Sequence, residues 1–221
     1  MKILILAAMD KEINLLLNLL EDSKNIEVEG IEVWEGNIHP HRVLLSKCGI
    51  GKVNAALNSH KIIEYSKPDL VINSGVAGGA GIPIGTVLVA DKVAYHDVWC
   101  GPGTIYGQAD GFPLFMMPSS RILEISRNMD CSRGLICSGD KFISTPEQIA
   151  FIRSKFPEVK AVDMESAAIA QTCIFNQVEF AIIRVVSDTP GEGENISQYQ
   201  DFWISAPQKT FSILNKLLQS L

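Results

Sequence analysis

FAIIRVVSD, residues 180–188, is almost unbroken in apolar side chains, where a strand with one face in water would alternate apolar and polar positions. A strand of that composition is covered on both faces, as in a mainly parallel sheet flanked by helices. Working outward, runs of the same kind recur as KILILAAM (2–9), HRVLLSKCGI (41–50), DLVINSGVAGG (69–79), GTVLVADKVAYHD (85–97) and KAVDM (160–164). Helical patterns lie between them at 11–20, 52–65, 119–128, 145–155, 166–175 and from about 206 to 221. The alternation predicts an α/β fold. Residues 100–113 and 189–198 are rich in Gly, Pro and polar side chains and read as surface loops. Apolar elements continue on both sides of each, so the chain reads as a single domain over 1–221.

A length of 221 residues fits one large domain, and mass scaling predicts a folded surface of about 10,000 Å². With 47% hydrophobic and 20% charged residues, disordered and fibrous chains are excluded. Lys and Arg number 19 against 25 Asp and Glu, a net charge of −6, so the cationic footprint expected for nucleic acid or an anionic membrane surface is missing. No run approaches the 18 or so apolar residues of a spanning helix. Cys48, Cys100, Cys131, Cys137 and Cys173 are odd in number and scattered, without C-x-x-C or zinc-type spacing. The expectation is a reduced, cytoplasmic setting and no metal.

Ligands of open α/β sheets gather at the carboxyl ends of strands. Three acids stand there: Glu12 after the first run, Glu165 after KAVDM, and Asp188 at the end of FAIIRVVSD. Converging carboxylates in different environments can divide base and acid roles without a metal. Taken singly, each reads more readily as a helix cap, and Asp163 beside Glu165 is another capping candidate. SGVAGGAGIPIG (74–85) lacks G-x-G-x-x-G, and GIGKV (49–53) lacks the rest of a P-loop, so no nucleotide cofactor is expected. These glycines fit either close backbone approach to a ligand or tight turns.

Six motifs can then be read in register: AAMDKEI (7–13), GIGKVNAA (49–56), NSGVAGG (73–79), SGDKFI (138–143), VDMES (162–166) and RVVSD (184–188). In order and spacing the chain closely resembles the 5′-methylthioadenosine/S-adenosylhomocysteine nucleosidases of the purine nucleoside phosphorylase superfamily. The resemblance implies a single α/β domain around a mixed, partly barrel-like central sheet flanked by helices. It also implies a cytoplasmic homodimer that takes an adenine nucleoside and needs no cofactor. By the same resemblance Glu12 is the general base toward water, Asp188 with Ser187 beside it the acid at purine N7, and Glu165 the grip on the ribose hydroxyls. Met164 lies against the ribose and Arg184 near the water. Phe142 and Ile143 take the base, Tyr199 lids the nucleoside, and Met9 and Ile50 line the 5′ side. Val76, Ala77 and Gly78 complete the lining.

From residue type alone, Met9, Ile50, Phe142 and Ile143 would be core. A carboxylate after the first strand suits water better than phosphate, whose binding needs charge-assisted donors. Arg42, a conceivable phosphate ligand, reads as an exposed hairpin arginine, and His96 as structural. The sequence departs from the family at Val76, where a Ser is common, and in HDVWCGPGTIYGQ (96–108), where Trp99 and Pro102 alter the 5′ pocket. That leaves 5′-deoxyadenosine or futalosine open as substrates, with a phosphorylase or a noncatalytic nucleoside binder as alternatives. Apolar residues at 99, 105, 112 and 114–116 are expected to cover a partner surface.

Overall fold

The run KILILA forms β1 (Lys2–Ala7), with every residue after the first buried. The computed structural model describes residues 1–205 and 208–221. Within them β1 is flanked in parallel by β4 (His41–Lys47) and β5 (Leu70–Gly79). The hairpin of β2 (Glu21–Val28) and β3 (Ile31–Ile38) extends this wing antiparallel to β4. On its other side β5 pairs in parallel with β9 (Glu179–Asp188) from Leu70↔Glu179 to Gly78↔Asp188. Its last two glycines pair antiparallel with β8 (Val159–Asp163). From β8 the sheet continues through β7 (Ser132–Ser138) and β6 (Val87–Tyr95) and returns to β9. Strands β5, β8, β7, β6 and β9 thus close into a five-stranded barrel, and β5 belongs to both barrel and open wing. This is the mixed, partly barrel-like α/β sheet expected.

Seven helices cover the sheet among the described residues: α1 (Asp10–Leu17), α2 (Lys52–Ser66), α3 (Ser120–Ser126), α4 (Pro146–Lys155), α5 (Ser166–Phe175), α6 (Asn195–Ser205) and α7 (Gln208–Gln219). Their starts follow from local chemistry. Thr145 and Gln148 form a reciprocal capping box with Pro146 in the first turn of α4. The chain enters α2 through Gly51 at φ 88°, a conformation that costs glycine little. In α5, Ala167, Ala168 and Ala170 are buried with Ile169 and Cys173, and these small side chains allow close packing on α2. Accessible surface totals 9970 Å², the value mass scaling predicts.

Several elements differ from the sequence reading. The hairpin β2–β3 was not expected, because EDSKNIEV is polar and almost wholly exposed. It is an edge, where charge discourages further pairing. Strand β7, SRGLICS, is short and interrupted by Gly134. The loop expected at 189–198 ends at 194, where α6 begins. The last helix is seen from Gln208, and the expected start at 206–207 lies outside the described residues. The apolar face at 95–116 also needs correction: Met116 is buried and bridges Val93 through two backbone bonds, and Leu114 and Phe115 pack toward Phe156. Trp99 and Ile105 do remain exposed.

Candidate active site

The carboxyl ends of β5 and β9 and the residues after β1 and β8 meet at one cavity of about 170 Å³. It is lined by Glu12, Glu165 and Asp188 together with Met9, Ile50, Val76, Ala77, Gly78, Phe142, Met164, Ser187 and Tyr199. Ala8, Val162 and Asp163 complete the wall.

Glu12 lies in the first turn of α1, and Oε2 accepts from the amides of Ala8 (2.8 Å) and Met9 (3.0 Å). It therefore closes a helix cap, as its place after the first strand allows, yet its other oxygen crosses to β5 and accepts from Val76 N at 3.1 Å. Burial pushes its pKa up, while Arg184 and the three amides pull it back. Gly75 makes room for the crossing, since a Cβ there would lie 2.6 Å from Glu12 Oε1.

For Glu165 the capping duty falls on its neighbour. Asp163 Oδ1 accepts from Ser166 N at 3.3 Å, and Ser138 and the Ser166 hydroxyl also donate to its carboxylate. Glu165 is left free to turn toward α2, whose entrance amide, Gly51 N, donates to Oε1 at 2.9 Å. Desolvation first, then the neighbouring Asp163 charge, raises its pKa to about 7.

Asp188 ends β9 and is buried. Ser187 Oγ donates to Oδ1 at 2.7 Å and Asn195 Nδ2 to Oδ2 at 3.2 Å. Burial raises its pKa against the pull of these two bonds. Gly78 permits the tight crossing above it, because a Cβ there would meet Pro190 Cγ at 2.5 Å.

The remaining expected residues divide. Phe142 and Ile50 are 41% and 52% exposed at the mouth, so they are not core. Tyr199 reaches the same mouth from α6, with its hydroxyl 3.2 Å from Met9 Sδ and its ring edge-on to Phe142. Ile143 is buried in an adjoining cleft instead of the main cavity. Arg184 does not line the cavity: it is buried behind Glu12, with Nε and Nη2 on Asp163 Oδ2 at 2.9 and 2.8 Å. Its Nη1 donates to the Asn73 carbonyl at 3.2 Å, and Asn73 Oδ1 accepts from Nη2. Arg42 pairs with Glu35 at 2.7 Å on the outer hairpin, and His96 is buried against Gly139. Sequence reasoning missed Asn73, which anchors Arg184, and Asn195, which lay in a presumed loop. The only hint for Asn195 was its place seven residues beyond Asp188.

Comparison with known proteins gives a consistent picture. The model of the phosphorylase superfamily matches residues 2–219. The 5′-methylthioadenosine/S-adenosylhomocysteine nucleosidase of Geobacillus sp. (strain WCH70) is 36% identical over 231 aligned residues, covering all of this chain and 99% of the relative. Among solved structures, the nucleosidase of Streptococcus pneumoniae in complex with 8-aminoadenine superposes with a TM-score of 0.95 at 36% identity, with full coverage of both chains. The futalosine hydrolase of Helicobacter pylori superposes at 0.91 with 28% identity, over all of this chain and 98% of the other.

Proposed function

The chain belongs to the 5′-methylthioadenosine/S-adenosylhomocysteine nucleosidases of the phosphorylase superfamily, and from that premise we propose that it hydrolyses the N-glycosidic bond of those two nucleosides, releasing adenine and the thioribose product. The observation that carries this reading is the meeting of Glu12, Glu165 and Asp188 in one cavity beside Phe142 and Met164.

Water attacks the anomeric carbon and gives its proton to Glu12, whose three amide partners hold the carboxylate in line. The bond to the base breaks with its electron pair going to adenine, which takes a proton at N7 from Asp188. A raised pKa suits that acid, since it keeps the proton nearer neutral pH. The ribosyl group left behind as the base departs carries positive charge, resembles an oxocarbenium ion and is stabilised by the acids around it. Glu165 grips the ribose hydroxyls, with Met164 against the sugar. Phe142 and the Ile143 backbone take the base, Tyr199 covers it, and Met9, Ile50 and Val76 face the 5′ substituent. Arg184 acts from behind by favouring the charged form of Glu12. Three acids in the cavity oppose a phosphate dianion, so water is the nucleophile.

The partner is a second copy of the chain. A groove of about 600 Å³ between α2, α5 and residues 98–112 presents Val53, Leu57 and Phe175, each more than half exposed, and Trp99 is exposed nearby. All five cysteines are free, as suits the cytoplasm, and a methylthioribose product retains methionine sulfur for salvage. Val76 and the superposition on a futalosine hydrolase favour futalosine as the second substrate reading.

Chromatographic product analysis with 5′-methylthioadenosine, in buffer without and with phosphate, tests the assignment. Adenine with methylthioribose in both buffers is the expected result. A phosphate requirement with a sugar 1-phosphate product would overturn hydrolysis, and release of base from futalosine alone would move the substrate.

A further inference from the structure

Asn195 opens α6, its backbone N–H bonded to Glu192 O at 3.1 Å, and it is almost fully buried. Its side-chain Nδ2 donates to the Ile143 carbonyl at 3.1 Å and to Asp188 Oδ2 at 3.2 Å. Both partners are acceptors, so only the NH₂ end of the amide can face them, and both of its hydrogens are committed. Tyr199 follows one turn later on the same helix and meets Met9 and Phe142 across the mouth. The turn before the helix is closed by Thr189 N donating to Gln198 Oε1 at 2.9 Å.

We propose that Asn195 is a positioning residue that ties the helix carrying the lid to the proton donor and to the base-reading backbone, so that the three seat as one unit. This rests on the functional reading given above. With both amide hydrogens used, Oδ2 of Asp188 stays an acceptor, and a neutral carboxyl carries its proton on Oδ1. The donor now on Oδ1, Ser187 Oγ, has a second acceptor in Ala77 O at 3.3 Å and can turn away when that proton arrives. A proton on Oδ1 is then oriented for transfer to the base, while Asn195 fixes the carboxyl plane.

The charged and titratable groups that face Asp188 are Glu12 from α1, Asp163 at the end of β8 and Glu165 ahead of α5 across the cavity, Tyr199 from α6, and Lys141 beside the adjoining cleft. Replacing Asn195 alters the charge of none of them. Removing its donor deprives the carboxylate of a partner, so the acid is expected to hold its proton to higher pH.

The test compares two substrates of Asn195→Ala: 5′-methylthioadenosine, whose base must be protonated to leave, and the p-nitrophenyl methylthioriboside, whose leaving group needs no acid. With the first, kcat should fall about ten- to hundredfold, the range for losing a hydrogen bond to a charged group. With the second it should stay within about threefold of wild type, and the alkaline limb with methylthioadenosine should move to higher pH. Equal loss on both substrates, no loss on either, or an unmoved limb would overturn the proposal. Asn195→Asp, of nearly the same shape, turns oxygen toward both acceptors and should lose more on methylthioadenosine while again sparing the nitrophenyl compound. Should wild type release no adenine at all, the functional reading fails. The pH dependence of adenine binding then decides the proposal without turnover: an unchanged profile in Asn195→Ala refutes it, and a displaced one upholds it.

Discussion

Gly75→Ala isolates the geometry of the assigned base without touching its chemistry. Gly75 pairs with Arg184 across β5 and β9 and has ordinary strand backbone, so alanine is excluded by space alone. A Cβ at this position would lie 2.6 Å from Glu12 Oε1, 3.3 Å from its Cδ and 3.6 Å from Arg184 Nη1. Ordinary contact begins at 3.4 Å, so the carboxylate must retreat by about 0.8 Å. Its bond to Val76 N, already 3.1 Å, would stretch past hydrogen-bonding distance, while the helix-cap bonds at Ala8 and Met9 resist the move. Misplacement of about 1 Å at a reacting group can cost about a hundredfold. The expected result is a roughly 30- to 100-fold loss of kcat, with adenine affinity retained, because Phe142 and the Ile143 backbone are untouched. Strain should cost about 1–3 kcal/mol of stability. In a Glu12→Ala background the added methyl fills vacated space, so both penalties should vanish in the double-mutant cycle. Continuous assay of adenine release with parallel thermal denaturation supplies the four corners. Turnover within threefold of wild type in Gly75→Ala would refute the reasoning, since the carboxylate would then not need the position its three amides define.

Glu12→Gln and Asp188→Asn should each lower kcat by about two to four orders of magnitude, the span for a positioned base or acid; a folded variant with near-normal turnover would strip that residue of its role. Glu165 holds its proton more tightly folded, near 7, than unfolded, near 4.5, so stability present at low pH is lost as pH rises through 7. Glu165→Gln should therefore raise the Tm relative to wild type at pH 8 and not at pH 4.5, and a gain equal at both would be wrong for this linkage. Arg184→Met leaves Asp163 buried beside no cation and should cost about 3–5 kcal/mol in urea titration; a cost below about 1 kcal/mol would mean the ion pair is not structural. Light scattering should give wild type the mass of the proposed dimer and Leu57→Glu, on the apolar groove, half of it; a dimer unchanged by the substitution would move the interface elsewhere, and a monomeric wild type would refute the pairing.

What could be read from the sequence follows the physics of each element. Strands β1, β5 and β9 are covered on both faces, and their apolar runs are unmistakable. Strand β2 is an edge whose side chains face water, so its pattern is that of a loop. Barrel closure is a pairing of β6 with β9 and of β8 with β5, between segments far apart in the chain, and no local pattern encodes it. Glu12, Glu165 and Asp188 stood out because they follow apolar runs at the carboxyl ends of strands, where ligands gather, and the six motifs in register then separated them from ordinary helix caps. Arg184 was legible as a residue but not as an arrangement: the family resemblance implies a place near the water, and the structure shows its guanidinium bonded to Asp163 and Asn73 behind the cavity. Asn195 was hidden because Gly and Pro in TPGEGENISQ mark a loop, and nothing there announces a helix start facing inward.

Burial raises the pKa of all three acids, so burial alone cannot divide their labour. What differs is the mobility of their partners. Glu12 is held only by backbone amides, fixed by α1 and β5, which cannot withdraw when the charge changes. Such donors favour the carboxylate and its orientation at every stage, as a base toward water requires. Asp188 is held by side chains, and the Ser187 hydroxyl has the Ala77 carbonyl as a second acceptor. A carboxyl whose donor can turn away gains and loses a proton at smaller cost, as an acid must within each turnover. The proposed base is thus fixed wholly by main chain, whereas the proposed acid has one fixed side-chain donor, Asn195, and one that can turn, Ser187, and replacing Ser187 should disturb protonation of the leaving group while leaving water activation at Glu12 intact.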